Sequence, residues 1–235
     1  MSLNMKESIV NNNSNYRITD KSKVKIYRWL FYLTLIGLSC FVAAVILLHF
    51  LQPGLNPVKV AVSYYVYGLH GWLLTVGLVG LGIGSFALAI ALQHEIHGRG
   101  INTGCLLLAI WSIGAIIDAI FPAEPPGNLH KPSTFSGVIH EHAALIAFLS
   151  LPVAAFIITR IFRRNFRDQK KINLLLISTI LTFVSLGMFL ASFIPDIDSP
   201  GPAQLFGLTE RILLGSCILW IYTAAFNLSG VRNQK

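Results

Sequence analysis

Charged residues are scarce in this sequence. Lys, Arg, Asp and Glu make up 12% of its 235 residues, while 54% are hydrophobic; a soluble globular domain carries about 25% charged residues. This composition excludes an ordinary water-soluble domain. The 10 acidic residues are outnumbered by 18 basic ones, but the basic residues lie beside long apolar runs. The excess therefore indicates membrane topology and contact with anionic lipid, and we expect no nucleic-acid partner.

Cysteine is also rare. Cys40, Cys105 and Cys217 all lie inside apolar stretches, and their number is odd. This excludes a disulfide framework and a CxxC metal site. We interpret all three as small apolar packing residues.

Long apolar runs are abundant. A hydrocarbon core about 30 Å thick needs a helix of about 20 residues, and six stretches approach or reach that length: 29–51, 69–92, 104–121, 139–160, 172–194 and 208–228. They predict an all-α integral membrane protein with one six-helix membrane domain, 29–228. A basic tail, 1–28, precedes it, and its polar composition predicts disorder. A short tail, 229–235, follows.

The basic residues predict the orientation of the helices. Fifteen of the 18 Lys and Arg residues fall in the two tails and in the second and fourth connections. Lys59 and Lys131 fall on the other side, and Arg211 lies at the mouth of the last helix. Because cytoplasmic loops hold the excess of Lys and Arg, we expect a multi-pass protein of the cell (inner) membrane with both termini cytoplasmic.

Prolines and glycines recur at regular intervals. Prolines follow the odd-numbered helices at intervals of 69 and 73 residues, and glycines open the even-numbered helices at intervals of 69 and 70: Pro53, Pro122 and Pro195; Gly68, Gly137 and Gly207. The pattern predicts three tandem helical hairpins of about 70 residues each. We expect these hairpins to pack around a pseudo-threefold axis.

The repeat places polar residues in equivalent positions near the outer ends of the helices. His49 and Asp118 each precede their proline by four residues, and His70, His140 and Glu210 are spaced 70 residues apart in the first turns of even-numbered helices. Imidazole and carboxylate side chains together are ligands for a divalent metal such as zinc. These five residues are the predicted metal ligands; the alternative is that they cap helices and form hydrogen bonds at a wet interface. Further polar residues are expected around them: Glu124, His130, Glu141, His142, Asp196 and Asp198.

Four residues are candidates for catalysis: His140, Glu124, Arg211 and Ser136. Arg211 has the geometry to clamp a phosphate or carboxylate, although an internal salt bridge to Asp118, Asp196 or Asp198 is favoured. Ser136 and His140 are four residues apart and share a helix face, so a serine activated by a histidine is one hypothesis. A helix-capping role for Ser136 is favoured over it.

Two classes of function fit this pattern. The first is a metal-dependent hydrolase or transferase acting on a lipid-like substrate. The second is a non-enzymatic permease, a lipid-binding protein, or a sensor or assembly subunit in contact with membrane lipids. The middles of the spans are mainly apolar, which argues against a through pathway. A haem protein, with ligands among the histidines of one leaflet (His49, His70, His140 and His142), is a third alternative.

Motifs along the chain resemble the prokaryotic membrane protein family called domain of unknown function 998. They are His49–Pro53, Ser63-Tyr64, Gly68–Trp72, Phe121–Glu124, Gly137, His140, Gly207 and Glu210-Arg211. The resemblance covers residues 29–228 and implies a multi-helix membrane protein with no established activity, substrate or cofactor. The family pattern has an aromatic residue where this chain has His70, and often aspartate at Glu124. It carries over most directly to Ser63, Tyr64, Glu124, His140 and Arg211.

Overall fold

Six long α-helices form the described part of the chain. The computed structural model describes residues 3–125, 133–165, 168–193 and 205–232, with side chains from Lys25 to Ser229 within those ranges. A short 3₁₀ helix, Val62–Tyr67, lies between the first two α-helices. The α-helices are α1 (Leu3–Leu51), α2 (Trp72–Glu95), α3 (Ile101–Ile120), α4 (Phe135–Asn165), α5 (Gln169–Ala191) and α6 (Phe206–Arg232).

All six helices contain a segment long and apolar enough to cross a membrane, at the six positions that the sequence predicts. The segments are Lys25–Leu51, Trp72–Glu95, Ile101–Ile120, Phe135–Asn165, Gln169–Ala191 and Phe206–Ser229. The helical backbone of α1 begins at Leu3, ahead of its span. It therefore includes most of the tail for which composition predicts disorder, and that disorder stays a prediction.

The outer surface of the bundle is apolar. Trp29, Ile36 and Leu106 are each more than 60% exposed, which suits a surface in contact with lipid. The interior holds two fully buried tryptophans, Trp111 and Trp220. Each indole N–H donates to a hydroxyl oxygen 3.2 Å away, on Ser85 and Thr159 respectively, so neither polar group is buried without a partner.

Glycines bring α1 and α2 into close contact. A Cβ atom on Gly37 would lie 2.2 Å from the carbonyl oxygen of Gly80, and one on Gly84 would lie 3.0 Å from that of Thr34. Lipid tails are as apolar as the helix surfaces, so close backbone packing replaces the hydrophobic effect as a source of association. The α1–α2 contact depends on these missing side chains.

A ladder of buried hydroxyl pairs joins α5 to α6. We call it the hydroxyl ladder. Its three rungs join side-chain oxygens at 3.1, 2.7 and 3.2 Å: Ser178–Thr223, Ser185–Ser216 and Ser192–Thr209. The rungs recur every seven residues on both segments, so they follow one face of each helix.

The hydroxyl ladder is a buried polar feature of spans that are otherwise mainly apolar. Its six residues are all buried, and each hydroxyl also lies within hydrogen-bond distance of a carbonyl oxygen three or four residues earlier; for example, Ser216 Oγ lies 2.8 Å from the oxygen of Leu213. A hydroxyl has one proton, so in each rung one hydroxyl donates across to its partner and the other donates to its backbone carbonyl. Because these hydroxyl groups have backbone partners, they are inexpensive to bury. The ladder serves helix packing.

Gly37→Ala is expected to lower the free energy of unfolding by roughly 1–3 kcal/mol, because the added methyl group meets backbone that cannot move aside. Gly215→Ala is the control, since a Cβ there has no neighbour within 4 Å. The measurement is reversible unfolding in mixed micelles. Equal stability of the two variants would contradict the close packing of α1 on α2.

The Ser185–Ser216 rung is expected to contribute a coupling energy of about 0.6 kcal/mol, the usual size for a hydrogen bond between membrane helices. Ser185→Ala, Ser216→Ala and the double variant form the cycle that measures it. Additive effects of the two single substitutions would mean that this rung contributes nothing to α5–α6 association.

Candidate functional site

The segment between α1 and α2, residues 52–71, lies across one end of the bundle. We call this end of the bundle the loop mouth. This end also holds the first turns of α4 and α6 and the last turns of α1 and α3. The loop docks on α6: the N–H of Leu208 donates to the carbonyl of Val58 at 3.0 Å. A Cβ on Gly207 would lie 2.3 Å from the carbonyl oxygen of Val60. Glycine at 207 therefore allows the loop backbone to touch the helix.

Arg211 ties three elements together at this end. Its NH1 donates to the carbonyls of Val60 in the loop, at 2.7 Å, and Gly207 in α6, at 2.9 Å. Its Nε donates to His49 Nε2 in α1, at 3.2 Å. The guanidinium carbon lies 5.6 Å from the centre of the Tyr65 ring, within cation–π range.

This arrangement differs from the predicted roles of Arg211. Nε and NH1 are already bonded to the protein, and NH2 is buried without a hydrogen-bond partner among the described residues. The predicted salt bridge to Asp118 is not formed, because Asp118 pairs with His140 instead; the substrate clamp stays a prediction. Asp196 and Asp198, the other expected partners, lie outside the described residues.

His49 has both ring nitrogens in use. Because Nε2 accepts from Arg211, the ring proton lies on Nδ1, which donates to the carbonyl of Val45 at 2.6 Å. A neutral imidazole has one lone pair for a metal, and here it faces a guanidinium. His49 is therefore a structural partner of Arg211.

Asp118 and His140 form a buried pair between α3 and α4. Asp118 Oδ1 lies 3.5 Å from His140 Nδ1, and the side chains are 13% and 11% exposed respectively. The same nitrogen lies 2.9 Å from the carbonyl oxygen of Phe121. A carbonyl oxygen can only accept, so Nδ1 carries a proton, and Nε2 is the remaining acceptor of the neutral ring.

Glu124 and Ser136 both stabilise the start of α4. Glu124 Oε2 accepts from the N–H and the hydroxyl of Thr134, at 2.8 and 2.9 Å. Ser136 Oγ donates to the carbonyl of Pro122 at 2.8 Å. The proton of Ser136 is thus directed away from His140, which weakens the hypothesis of a serine nucleophile and supports a structural role.

Glu210 accepts a hydrogen bond from the loop. Its Oε2 lies 2.6 Å from the N–H of Val62, at the start of the 3₁₀ helix. The carboxyl is 8% exposed. Sequence spacing places it beside His140, and the structure places both on the wall of one cavity.

The five predicted metal ligands do not form one site. Within the described ranges, no group of three or more His, Cys, Asp or Glu side chains is arranged to hold a metal ion. His49 is bonded to Arg211, and His70 lies before α2 begins at Trp72 rather than in its first turn. The seventy-residue spacing thus places His70 differently from His140, which lies inside α4. His130, a further expected neighbour, lies outside the described residues.

A cavity of about 370 Å³ opens at the loop mouth, and we call it the mouth cavity. One part of its wall is polar, with Tyr64, Glu124, His140, Glu141 and Glu210. Another part is aromatic, with Phe148, Phe189, Phe193 and Phe206. An adjoining lobe of about 510 Å³ shares Tyr64, Glu141, Phe193 and Phe206 with it.

The phenylalanines of this wall were not predicted from the sequence. Ring centres of Phe189 lie 5.2 Å from Phe148, 5.1 Å from Phe193 and 5.4 Å from Phe206. Phe189 and Phe193 are four residues apart, the spacing of one helix face. That signal is present in the sequence, but it is common in any membrane span.

Tyr64 lies in a negative environment. Partial burial raises the pKa of its phenol above the ordinary value, and the carboxylates of Glu141, Glu124 and Glu210 raise it further. Each of these acts against formation of a phenolate. Tyr64 therefore presents a neutral O–H and an aromatic ring to the cavity.

Arg211→Lys is expected to lower the free energy of unfolding by about 2–4 kcal/mol, because an ammonium cannot reproduce the bonds to Val60, Gly207 and His49 and leaves buried acceptors unpaired. Arg163→Lys, at an exposed position near the end of α4, is the matched control. Thermal unfolding in detergent measures both. If the two variants are equally stable, Arg211 does not hold the loop.

A protein-family model described as "Protein of unknown function (DUF998)" matches residues 35–227, from within α1 to within α6. The match includes every residue of the loop mouth discussed above. No curated protein and no solved structure matches the chain. The family resemblance of the sequence motifs is confirmed, and the chain belongs to the DUF998 family of proteins of unknown function.

Proposed function

We propose that this protein binds an amphipathic, lipid-like molecule in the mouth cavity, with the polar head against the carboxylates and the apolar part against the phenylalanines. The observation that carries the proposal is the two-sided wall of the cavity. Small-molecule sites are concave and mostly apolar, with a few polar groups that orient the ligand. A cavity of about 370 Å³ is within the size range of such sites.

The position of the cavity supports the same function. It lies where membrane-spanning helices end, so one ligand can keep its apolar part at membrane depth and its head near water. Phe193 and Phe206 also line the adjoining lobe, which extends the apolar surface available to a chain. Contact with lipid follows from the six spanning segments.

Binding without metal chemistry is the better-supported function. In the described residues the five predicted metal ligands do not form one site, and Ser136 is bonded to Pro122 rather than to His140. A hydrolase or transferase would need an activated nucleophile. The contacts of these side chains instead support packing and ligand orientation.

We infer in addition that the loop mouth faces the outside of the cell membrane and that both termini are cytoplasmic. The support is the distribution of Lys and Arg, of which fifteen of 18 fall in the sequence of the two tails and of the second and fourth connections. The ligand would then enter from the outer leaflet or from the outside.

We infer also that the three hairpins α1–α2, α3–α4 and α5–α6 are structural repeats. The three glycines that recur at 69 and 70 residues all lack room for a side chain. A Cβ would lie 2.1 Å from the Gln52 side chain at Gly68, 2.2 Å from that of Glu124 at Gly137, and 2.3 Å from the Val60 carbonyl at Gly207. Gly68 and Gly137 thus contact the loop that precedes their own helix, whereas Gly207 contacts the segment between α1 and α2.

Filling the cavity tests the proposed function. Ala144 lines the mouth cavity, so Ala144→Phe is expected to block it, while Ala43→Phe, at an exposed position on α1, makes the same change on the outer surface. Native mass spectrometry of protein incubated with a membrane lipid extract should show one lipid-mass adduct on the wild type and on Ala43→Phe. Ala144→Phe should lose at least about tenfold in occupancy.

A folded Ala144→Phe protein that keeps the adduct would contradict the proposal. So would a wild-type protein that binds no molecule of lipid mass. Circular dichroism and thermal unfolding of each variant show whether it is folded.

A further inference from the structure

We propose that the mouth cavity selects molecules whose head is an ammonium group; this inference rests on the proposed function and adds its ligand class. The carboxyl groups of Glu141 and Glu210 line the cavity, beside Glu124, which is bonded to Thr134, and the described lining includes no Lys or Arg. The titratable cationic side chains on the wall are His140 and His142. Lys59 lines the adjoining lobe, where it is exposed.

Glu210 provides a buried carboxyl group. Its carboxyl is 8% exposed, and one of its oxygens accepts from the N–H of Val62. The neighbouring Arg211 directs Nε and NH1 to His49, Val60 and Gly207. Within 4 Å, the acidic side chains that lie beside a basic side chain in the described residues are Asp118, beside the neutral ring of His140, and Asp168, beside Lys171. Within that part of the chain, therefore, no cationic side chain lies within 4 Å of Glu210.

Burial of a carboxylate without a cation in direct contact is costly. A ligand ammonium would supply that charge and hydrogen-bond donors together, and charge-assisted hydrogen bonds are about twice as strong as neutral ones. Glu141 is an exposed residue of α4 on the cavity wall. It would attract the ammonium head as the ligand approaches the cavity.

The aromatic part of the wall fits the same ligand. The rings of Phe189, Phe193 and Phe206 lie within 5.1–5.4 Å of one another, so they form a continuous surface for a hydrocarbon chain. Ring faces also attract cations, and Tyr64 adds a ring beside the carboxylates. An alcohol or an acid of the same chain length would gain the apolar contact without the charge attraction.

Three probes that differ only in the head group test the selection: hexadecylamine, hexadecanol and hexadecanoate, each added to the full chain in a neutral maltoside detergent. Native mass spectrometry and thermal shift measure occupancy. We expect the amine to bind the wild type at least about tenfold more tightly than the alcohol, and the acid to bind most weakly.

Carboxamide variants locate the selectivity. Glu210→Gln keeps an acceptor for Val62 N–H, and Glu141→Gln changes an exposed side chain, so the second remains informative if the first does not fold. Both should reduce the preference for the amine and leave alcohol binding unchanged. Glu95→Gln is the matched control, since Glu95 lines a separate cavity of about 340 Å³ near the other end of the bundle.

The outcomes separate the two proposals. Equal binding of all three probes, blocked by Ala144→Phe, would overturn ammonium selection and leave the proposed function standing. No binding of any probe, or binding unaffected by Ala144→Phe, would overturn the proposed function itself. An amine preference that is lost in Glu95→Gln would place the amine in the other cavity and overturn this inference.

Discussion

The loop mouth depends on the guanidinium of Arg211. A loop that lies against helix ends exposes carbonyl oxygens that need donors, and unpaired buried polar groups cost free energy. Arg211 provides donors to Val60, Gly207 and His49, which belong to the loop, α6 and α1. The 3₁₀ helix that follows carries Tyr64 onto the cavity wall. The shape of the cavity thus depends on the cationic side chain of Arg211, which holds the loop in place.

The membrane-spanning helices associate through different contacts in the two halves of the bundle. Helices α1 and α2 approach through glycines, where backbone meets backbone. Helices α5 and α6 meet through the hydroxyl ladder. Both devices replace the hydrophobic effect, which is absent between helices in lipid. They also leave aromatic side chains free to line the cavity, since α5 presents its hydroxyls to α6 and Phe189 and Phe193 to the mouth.

Sequence patterns predict the spans well and the site in part. Six apolar runs predict the six spanning helices, because membrane thickness dictates length. The approach of His140 and Glu210 to one cavity follows from their spacing, whereas His70, at the same spacing, lies before its helix begins. Exact periodicity does not fix where a helix starts. The hydroxyl ladder was visible as Ser and Thr every seven residues, yet each residue alone is common in membrane helices.

The distinction between a metal site and a cation-binding cavity depends on which lone pairs remain available. A metal needs several deprotonated ligands at about 2 Å, but His49 gives its lone pair to Arg211 and Asp118 lies beside the N–H of His140. An organic ammonium makes weaker geometric demands, because its donors reach carboxylates from several directions at hydrogen-bond distance. Carboxylates spread over a wall that also carries aromatic rings therefore suit an ammonium better than a metal ion.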